Sequence, residues 1–435
     1  MQSVDVPVAL LGYGTVGAAV HRLLEEQGEE IERATGHRLR VVRALVRDVD
    51  KERGFAPADG ILTTDVTEVV GDPAVRIVAE VMGGVEPAGS HVLALLESGR
   101  SVVTANKQLV ARRGAELFSA ASAAGAQLRF EASVCAAIPV IKVLRESLVV
   151  TNVHRVLGIV NGTTNFVLTE MDGGRSYAEA LSEAQRLGYA EADPSDDVGG
   201  VDAAAKIAIL ATVAFGSRVP LEWVAVDGIE SVSEELVRAA RALDMRVKLL
   251  ARATLQDERV DVRVGPAFVD VHHPLAAVEG PFNAVMLQGD AIREITLEGP
   301  GAGGIETASA VVADMVSIVG TTGTGFLQDD PVWRDLERLA PGDVASPWYL
   351  QLRVADRAGV LAALARKLAL EGVSVARLVQ QPADDAALLH VVTHEAPAGR
   401  VEAALEAIAS LPISRGPATA IPVVSERGVE ELGWA

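Results

Sequence analysis

The stretch ALLGYGTVG, residues 9–17, decides the architecture of the first third of the chain. Residues Val6–Leu11 read as a short buried strand. Val16, Val20, Leu23 and Leu24 recur at helical spacing just after it. Gly12, Gly14 and Gly17 stand at the junction. The first glycine lets the chain turn, the second lets the backbone approach a pyrophosphate, and the third lets the helix pack closely on the strand. Unpaired N–H groups at the helix N-terminus then face the phosphates. The pattern predicts a dinucleotide site.

Strand and helix go on alternating beyond it. Strands are expected at 39–47, 75–82, 101–105 and 127–132, with helices at 88–98 and 109–124. Such alternation implies a parallel sheet with right-handed crossovers, a Rossmann-type α/β unit over residues 1–135. The second strand ends at Arg47-Asp48. An acid there takes a ribose 2′-OH, whereas an arginine suits a 2′-phosphate. Arg47 comes first and Lys51 is near, which favours NADP(H) over NAD(H).

From residue 136 the rhythm changes. A helix at 138–147, a strand at 153–160, helices at 165–172 and 176–187, and strands at 246–255, 260–269, 283–288 and 292–298 predict a second, α+β unit over 136–306 with a mixed sheet. A glycine turn at 300–304 feeds a return helix, 307–320. Pro331, Pro341, Gly342 and Pro347 mark a linker at 328–347. Residues 348–425 then read βαββαβ, a ferredoxin-like unit, and the last ten residues read as loose.

Composition narrows the function classes. A formal charge of −20 leaves no basic excess for phosphate backbones, so neither nucleic acid nor an anionic membrane is expected as partner. No apolar run is long enough to span a bilayer and no signal peptide is visible. The single cysteine, Cys135, permits no internal disulfide. A cytoplasmic location fits. Apolar helices such as 307–319 suggest a homodimer or homotetramer.

The chemistry concentrates in EADPSDDVGGVDAAAKIAILATVAFG, residues 191–216. Asp202 and Lys206 lie four apart on one helix face. A solvated pair of that kind contributes only about 0.3–0.5 kcal/mol. This helix, however, has no polar face, and a helix apolar all round is buried. Lys206 is therefore expected in a closed cleft, kept charged by carboxylates and able to give or take a proton. Glu191, Asp193, Asp196 and Asp197 supply acids from a segment that Pro194 and Gly199-Gly200 are expected to keep non-helical. Lys107, in TANKQLVA (104–111), follows a strand end, where open α/β sheets bind ligands.

These segments together resemble homoserine dehydrogenase. AQRLGYAEADPSDDVGGVDAAAK (184–206) follows that family's signature, and GYGTVG, TANK, EASV, IPVIK, VNGTTNF and GPGAGG agree with it across residues 5–325. The remainder, with DRAGVLAALARKL, resembles an ACT regulatory domain. The resemblance implies reversible NAD(P)H-dependent reduction of aspartate 4-semialdehyde to homoserine, in threonine, methionine and isoleucine biosynthesis, with threonine as a possible effector. It places proton donation on Lys206, with Lys107 and Asp202 beside it. It places cofactor contacts on Gly12, Tyr13, Gly14, Thr15, Val16, Gly17, Arg47, Thr104, Lys107 and Gly303. Substrate contacts fall on Thr163, Tyr189, Glu191, Asp197 and Asp202. A sodium ion falls on Glu131, Val134, Ala136 and Ile138.

Two departures from the family matter. Cys135, Ala136 and Ala137 stand where it usually has glycines, so a backbone needing positive φ would be strained there. Glu306 stands where it usually has proline, near the expected nicotinamide. Two rival readings remain at this level. One is a non-enzymatic sensor of an amino acid and a dinucleotide. The other is a semialdehyde dehydrogenase using Cys135 as nucleophile, a residue with no basic neighbour in sequence.

Overall fold

Short, largely apolar runs build the first sheet of the computed structural model, which describes residues 4–320, 336–383 and 386–424. Its strands are β1 (Val4–Leu11), β2 (His37–Leu45), β3 (Leu62–Thr63), β4 (Ile77–Glu80), β5 (Ser101–Thr104) and β6 (Leu128–Arg129). All run parallel, in the order β3-β2-β1-β4-β5-β6. The order reverses between β1 and β4, so a crevice opens at their carboxyl ends. The helix Gly304–Gly320 returns to pack on Thr15–Glu26 and buries Ala308, Val311 and Met315. It starts three residues earlier than expected. The strand expected at 127–132 keeps only its first part, because Glu131–Ser133 coil into a 3-10 turn.

The second sheet is built from β7 (Val153–Ile159), β8 (Ala225–Val226), β9 (Met245–Gln256), β10 (Arg259–Asp270), β11 (Phe282–Gly289), β12 (Arg293–Pro300) and β13 (Glu337–Arg338). The row β12-β11-β7-β9-β10 is antiparallel throughout, while β8 and β13 add to the outer edge of β10 in parallel. The helices Gly162–Asp172 and Val201–Phe215 share the larger core with this sheet. Gly200 and Gly216, both at positive φ, bracket Val201–Phe215, where a side chain would be strained.

Strands β14 (Ala345–Ser346), β15 (Trp348–Ala355), β16 (Val375–Ala383), β17 (Ala386–Thr393), β18 (Ala396–Pro397) and β19 (Thr419–Val424) complete the chain. Antiparallel order β19-β15-β17-β16, with the helices Val360–Leu370 and Ala398–Ala409 between strands, is the ferredoxin-like arrangement.

One expectation is corrected here. The linker reading at 328–335 lies outside the described residues, but 336–347 is tied down: β13 pairs with β10 and β14 with β18. The last unit shares a sheet with the second. Val423 and Val424 of β19 pair with Phe268 and Val269 of β10, which fuses the two sheets into one of eleven strands. An open strand edge is a pairing liability, and β19 covers part of it. Phe268 stacks on Tyr349 across the seam, with ring centroids 4.5 Å apart. Residue 425 and the tail read as loose lie outside the described residues.

Candidate active site

Lys206 is reached by building outward from its helix. Burying Val201–Phe215 leaves Lys206 only 8 % exposed. Its Nζ donates to the carbonyl of Val160 at 2.7 Å and meets Asp202 Oδ2 at 2.9 Å. An ammonium has three donors, so one remains. The other oxygen of Asp202 meets Lys107 Nζ at 2.5 Å. Lys107 is the first residue of the helix Lys107–Ala124, which Asn106 caps by accepting from Leu109 N. One buried carboxylate thus joins the two domains' lysines. Burial works against the charge of Asp202, but Lys206 and Lys107 outweigh it and hold the carboxyl well below the usual range. Burial opposes the charge of Lys206 as well; Asp202 overcomes it and keeps the ammonium above the ordinary lysine value.

A second layer holds this pair, and the sequence did not single out its centre. Asn161 caps the helix Gly162–Asp172 by accepting from Thr164 N at 2.9 Å. Its Nδ2 lies 2.7 Å from Asp197 Oδ1 and 2.9 Å from Asp202 Oδ2. Thr163 Oγ1 lies 2.6 Å from the carbonyl of Tyr189 and 3.1 Å from Asp197 Oδ2. Thr163, Asp197, Asp202 and Lys206 are therefore one network, as the sequence grouped them. Asp196 and Asp197 do not sit in a non-helical loop, however. Ser195–Val198 form a single helical turn, with Pro194 at its N-cap and Asp193 Oδ1 accepting from Ser195 N at 3.1 Å. Tyr189 packs its ring on Phe166 at 5.1 Å, and Glu191 is exposed.

The glycine turn fits a dinucleotide. A Cβ on Gly12 would come within 2.9 Å of the Val81 carbonyl, and one on Gly17 within 2.4 Å of the Gly12 carbonyl. Gly14 faces open space and caps the helix Thr15–Glu26 without a side-chain bond, leaving first-turn N–H groups for an anion. The N-terminus of Gly304–Gly320 adjoins it, since a Cβ on Gly304 would strike Thr15 Cγ2 at 2.7 Å. Thr15 is exposed and Val16 half-buried at this turn. Glu306 folds over Gly303, whose φ of 139° excludes a side chain.

Arg47 is exposed just past β2. Two expected contacts are spent elsewhere. Tyr13 is buried with its hydroxyl 2.7 Å from His21 Nδ1, so only its main chain faces the turn. Thr104 is buried and gives its hydroxyl to Glu80 Oε2 at 2.6 Å. Glu80, another residue the sequence did not mark, also accepts from the N–H of Met82 and Gly83 and from Asn106.

The turn after β6 realises the strain foreseen for missing glycines. Cys135 and Ala136 have φ of 55° and 40°. Val134, Ala136 and Ile138 are buried around them. Glu131 accepts from Ile141 N and Lys142 N, both at 2.8 Å. Burial pushes its carboxyl up to about 7 against those bonds. The buried Glu131 carboxylate offers hard oxygen donors of the kind a small hard cation takes. Cys135 does have a basic neighbour in space, Lys206, but burial still pushes its thiol up to about 11. A thiol held in that state is a poor nucleophile.

Residues 139–316 match the homoserine dehydrogenase family, residues 12–131 the homoserine dehydrogenase NAD binding domain, and residues 348–412 the ACT domain. The homoserine dehydrogenase of Corynebacterium glutamicum is 42 % identical over 416 residues, covering 94 % of this chain and 93 % of the relative. The chain belongs to the homoserine dehydrogenase family. It is an NAD(P)-dependent oxidoreductase acting on a CH–OH group, which sets aside both rival readings. The homoserine dehydrogenase of Bacillus subtilis is 38 % identical over 398 residues, with 89 % and 91 % covered. Among solved structures, a homoserine dehydrogenase from Thiobacillus denitrificans superposes with a TM-score of 0.92 at 39 % identity, covering 98 % of this chain and all of that one. A hyperthermophilic archaeal homoserine dehydrogenase in complex with NADPH aligns over 72 % of this chain and 97 % of its own, at 31 % identity and a TM-score of 0.63.

Proposed function

We propose that this chain reversibly reduces L-aspartate 4-semialdehyde to L-homoserine, with NADPH preferred over NADH. The observation that carries the reading is the Lys206 ammonium, buried in the cleft with two donors engaged and one left over. When bound, the nicotinamide supplies hydride to the aldehyde carbon. Lys206 Nζ gives its proton to the carbonyl oxygen as that oxygen gains charge. Lys107 adds positive charge on the same side. Asp202, with both oxygens already engaged, orients the two ammoniums rather than holding substrate. Thr163, Tyr189, Glu191 and Asp197 form the substrate rim, Glu191 taking the ammonium group. A fixed donor aimed at a forming oxyanion is typically the largest single catalytic effect.

Arg47 reads the 2′-phosphate, supported by its exposure at the end of β2. Gly12, Gly14, Thr15, Val16, Gly17 and Gly303 form the pyrophosphate cradle with their backbone, and Glu131, Val134, Ala136 and Ile138 hold sodium. The domain limits are taken as 1–135, 136–306 and 348–425. Threonine is the effector read by the ACT domain, near Asp356 and Gly359. The working form is a cytoplasmic homodimer or homotetramer. Nicotinamide absorbance with homoserine and NADP or NAD tests the core reading. Turnover with homoserine, faster with NADP, is expected; no turnover with either cofactor overturns it.

A further inference from the structure

On the second sheet, cross-strand partners share a face, with directly opposed residues about 5 Å apart and diagonal ones about 7–8 Å. Arg252 of β9 pairs with Arg263 of β10 and, on its other side, with Leu157 of β7. Arg155, two residues before Leu157, pairs with Thr254, which pairs with Asp261. Three guanidiniums therefore gather on one patch of one face: Arg155, Arg252 and Arg263. Like charges set opposite each other in a sheet repel.

The acids present do not balance them. Asp261 is committed to Arg263 through a bidentate contact, with the shortest distance 2.8 Å. Farther along, Glu294 is met by Gln288 at 3.4 Å. Arg252 is 8 % exposed, and its Nε is buried with no hydrogen-bond partner. Burial, then Arg263, pull its pKa down to about 9; Asp261 opposes and Arg155 adds to the shift. Arg155 feels one acid, Glu395, an exposed residue just before β18 in the ACT domain. The ACT domain's charge thus reaches the patch through Glu395. A buried, unpaired charge is costly, and a guanidinium fork is shaped for planar or tetrahedral oxyanions.

We propose that Arg155, Arg252 and Arg263 form an oxyanion-binding site, for a carboxylate or a phosphate group, separate from the dinucleotide and substrate sites. The ligand's oxygens take the donors of Arg252 that no protein group accepts. Asp261 fixes Arg263 in place and Glu395 limits the net charge from the ACT side.

The test is calorimetric titration of the full-length protein, saturated with NADP so that the glycine turn is filled. Inorganic phosphate is one titrant and succinate the other. Saturable binding of phosphate alone assigns a phosphate group, and of succinate alone a carboxylate; either supports the site. Arg252→Met is expected to weaken the binding at least tenfold. Asp261→Asn, which removes the competing charge, is expected to tighten it several-fold and covers the case in which Arg252→Met does not fold. Absence of saturable binding by both anions overturns the proposal, as does binding that neither variant changes.

Discussion

Asp202 and Lys206 form a 2.9 Å ion pair one helical turn apart, with both side chains about nine-tenths buried or more. On an exposed helix this pair would contribute a few tenths of a kcal/mol. Inside the cleft its value changes kind, because neither partner has water to fall back on. On the proposed mechanism, the pair keeps a charged ammonium available where a carbonyl oxygen becomes an alkoxide. Removing that donor should show in the chemical step. Lys206→Ala is expected to lower kcat by about a hundredfold or more, an effect of about 2.7–4 kcal/mol. The dissociation constant for NADPH should stay within a few-fold. Stopped-flow hydride transfer and fluorescence titration of NADPH separate the two, and a near-normal kcat would remove Lys206 from the chemistry.

Asp202→Asn keeps the shape and removes the charge. In the native protein the pKa of Lys206 is raised, so its contribution to stability is complete below the unfolded lysine value of about 10.4. That contribution is lost as pH climbs through the folded value. Asp202 is depressed, so its contribution is present above about pH 3.9 and lost as pH falls through the folded value. The pair is therefore intact across the neutral range. Without the carboxylate, burial is left as the main influence on Lys206 and pushes its pKa down. The alkaline limb of kcat for aldehyde reduction should move to lower pH, and breaking the pair should cost about 3–5 kcal/mol of stability. An unchanged pH profile in a folded variant would show that Asp202 does not govern the proton donor.

Asn161 carries two duties, a helix cap and a bridge between Asp197 and Asp202. Loss of a cap costs about 0.5–2 kcal/mol. Asn161→Ala should therefore lower the melting temperature. Asn161→Asp keeps the cap but repels the two acids, so it should lower kcat/KM at least as much as Asn161→Ala does. Equal melting temperatures for the wild type and the alanine variant would contradict the capping role.

Much of this was legible in the chain. Gly12, Gly14 and Gly17 are local constraints, and a lysine with no polar helix face around it announces its burial. The residues that escaped notice act at a distance. Glu80 ends an ordinary buried strand, and only the folded sheet brings Thr104 and Asn106 to it. Asn161 looks like any helix cap until residues 36 and 41 positions later fold back on it. The polar helices Gly28–Thr35 and Glu234–Ala242 carry short apolar stripes that the pattern reading passed over. The pairing of β19 with β10 joins strands more than 150 residues apart, where no periodicity reaches.

In the proposed reading, cofactor choice rests on Arg47. Its guanidinium suits a 2′-phosphate, whereas a carboxylate there would repel it and accept from a 2′-OH. Arg47→Asp is expected to raise KM for NADPH at least tenfold and to change KM for NADH little or lower it. Parallel steady-state measurements with both cofactors decide the point; if the ratio does not move, Arg47 is only a surface residue.

The turn at Cys135-Ala136 allows a cleaner experiment than most strained sites. A non-glycine residue in the left-handed region costs roughly 1–2 kcal/mol, and glycine gives back about 0.5–1 kcal/mol through the unfolded chain's entropy. Ala136 loses only a buried methyl on mutation to glycine, so the two effects nearly offset, with a small gain left. Ala136→Gly is expected to leave the melting temperature unchanged or raise it slightly. If the turn also holds sodium against Glu131, replacing sodium by a bulky organic cation should lower the melting temperature of the wild type and of Ala136→Gly alike. Glu131→Gln should abolish that response. A response that survives in Glu131→Gln would place the ion elsewhere, and a large loss of stability in Ala136→Gly would mean that the methyl's packing outweighs the strain of its backbone.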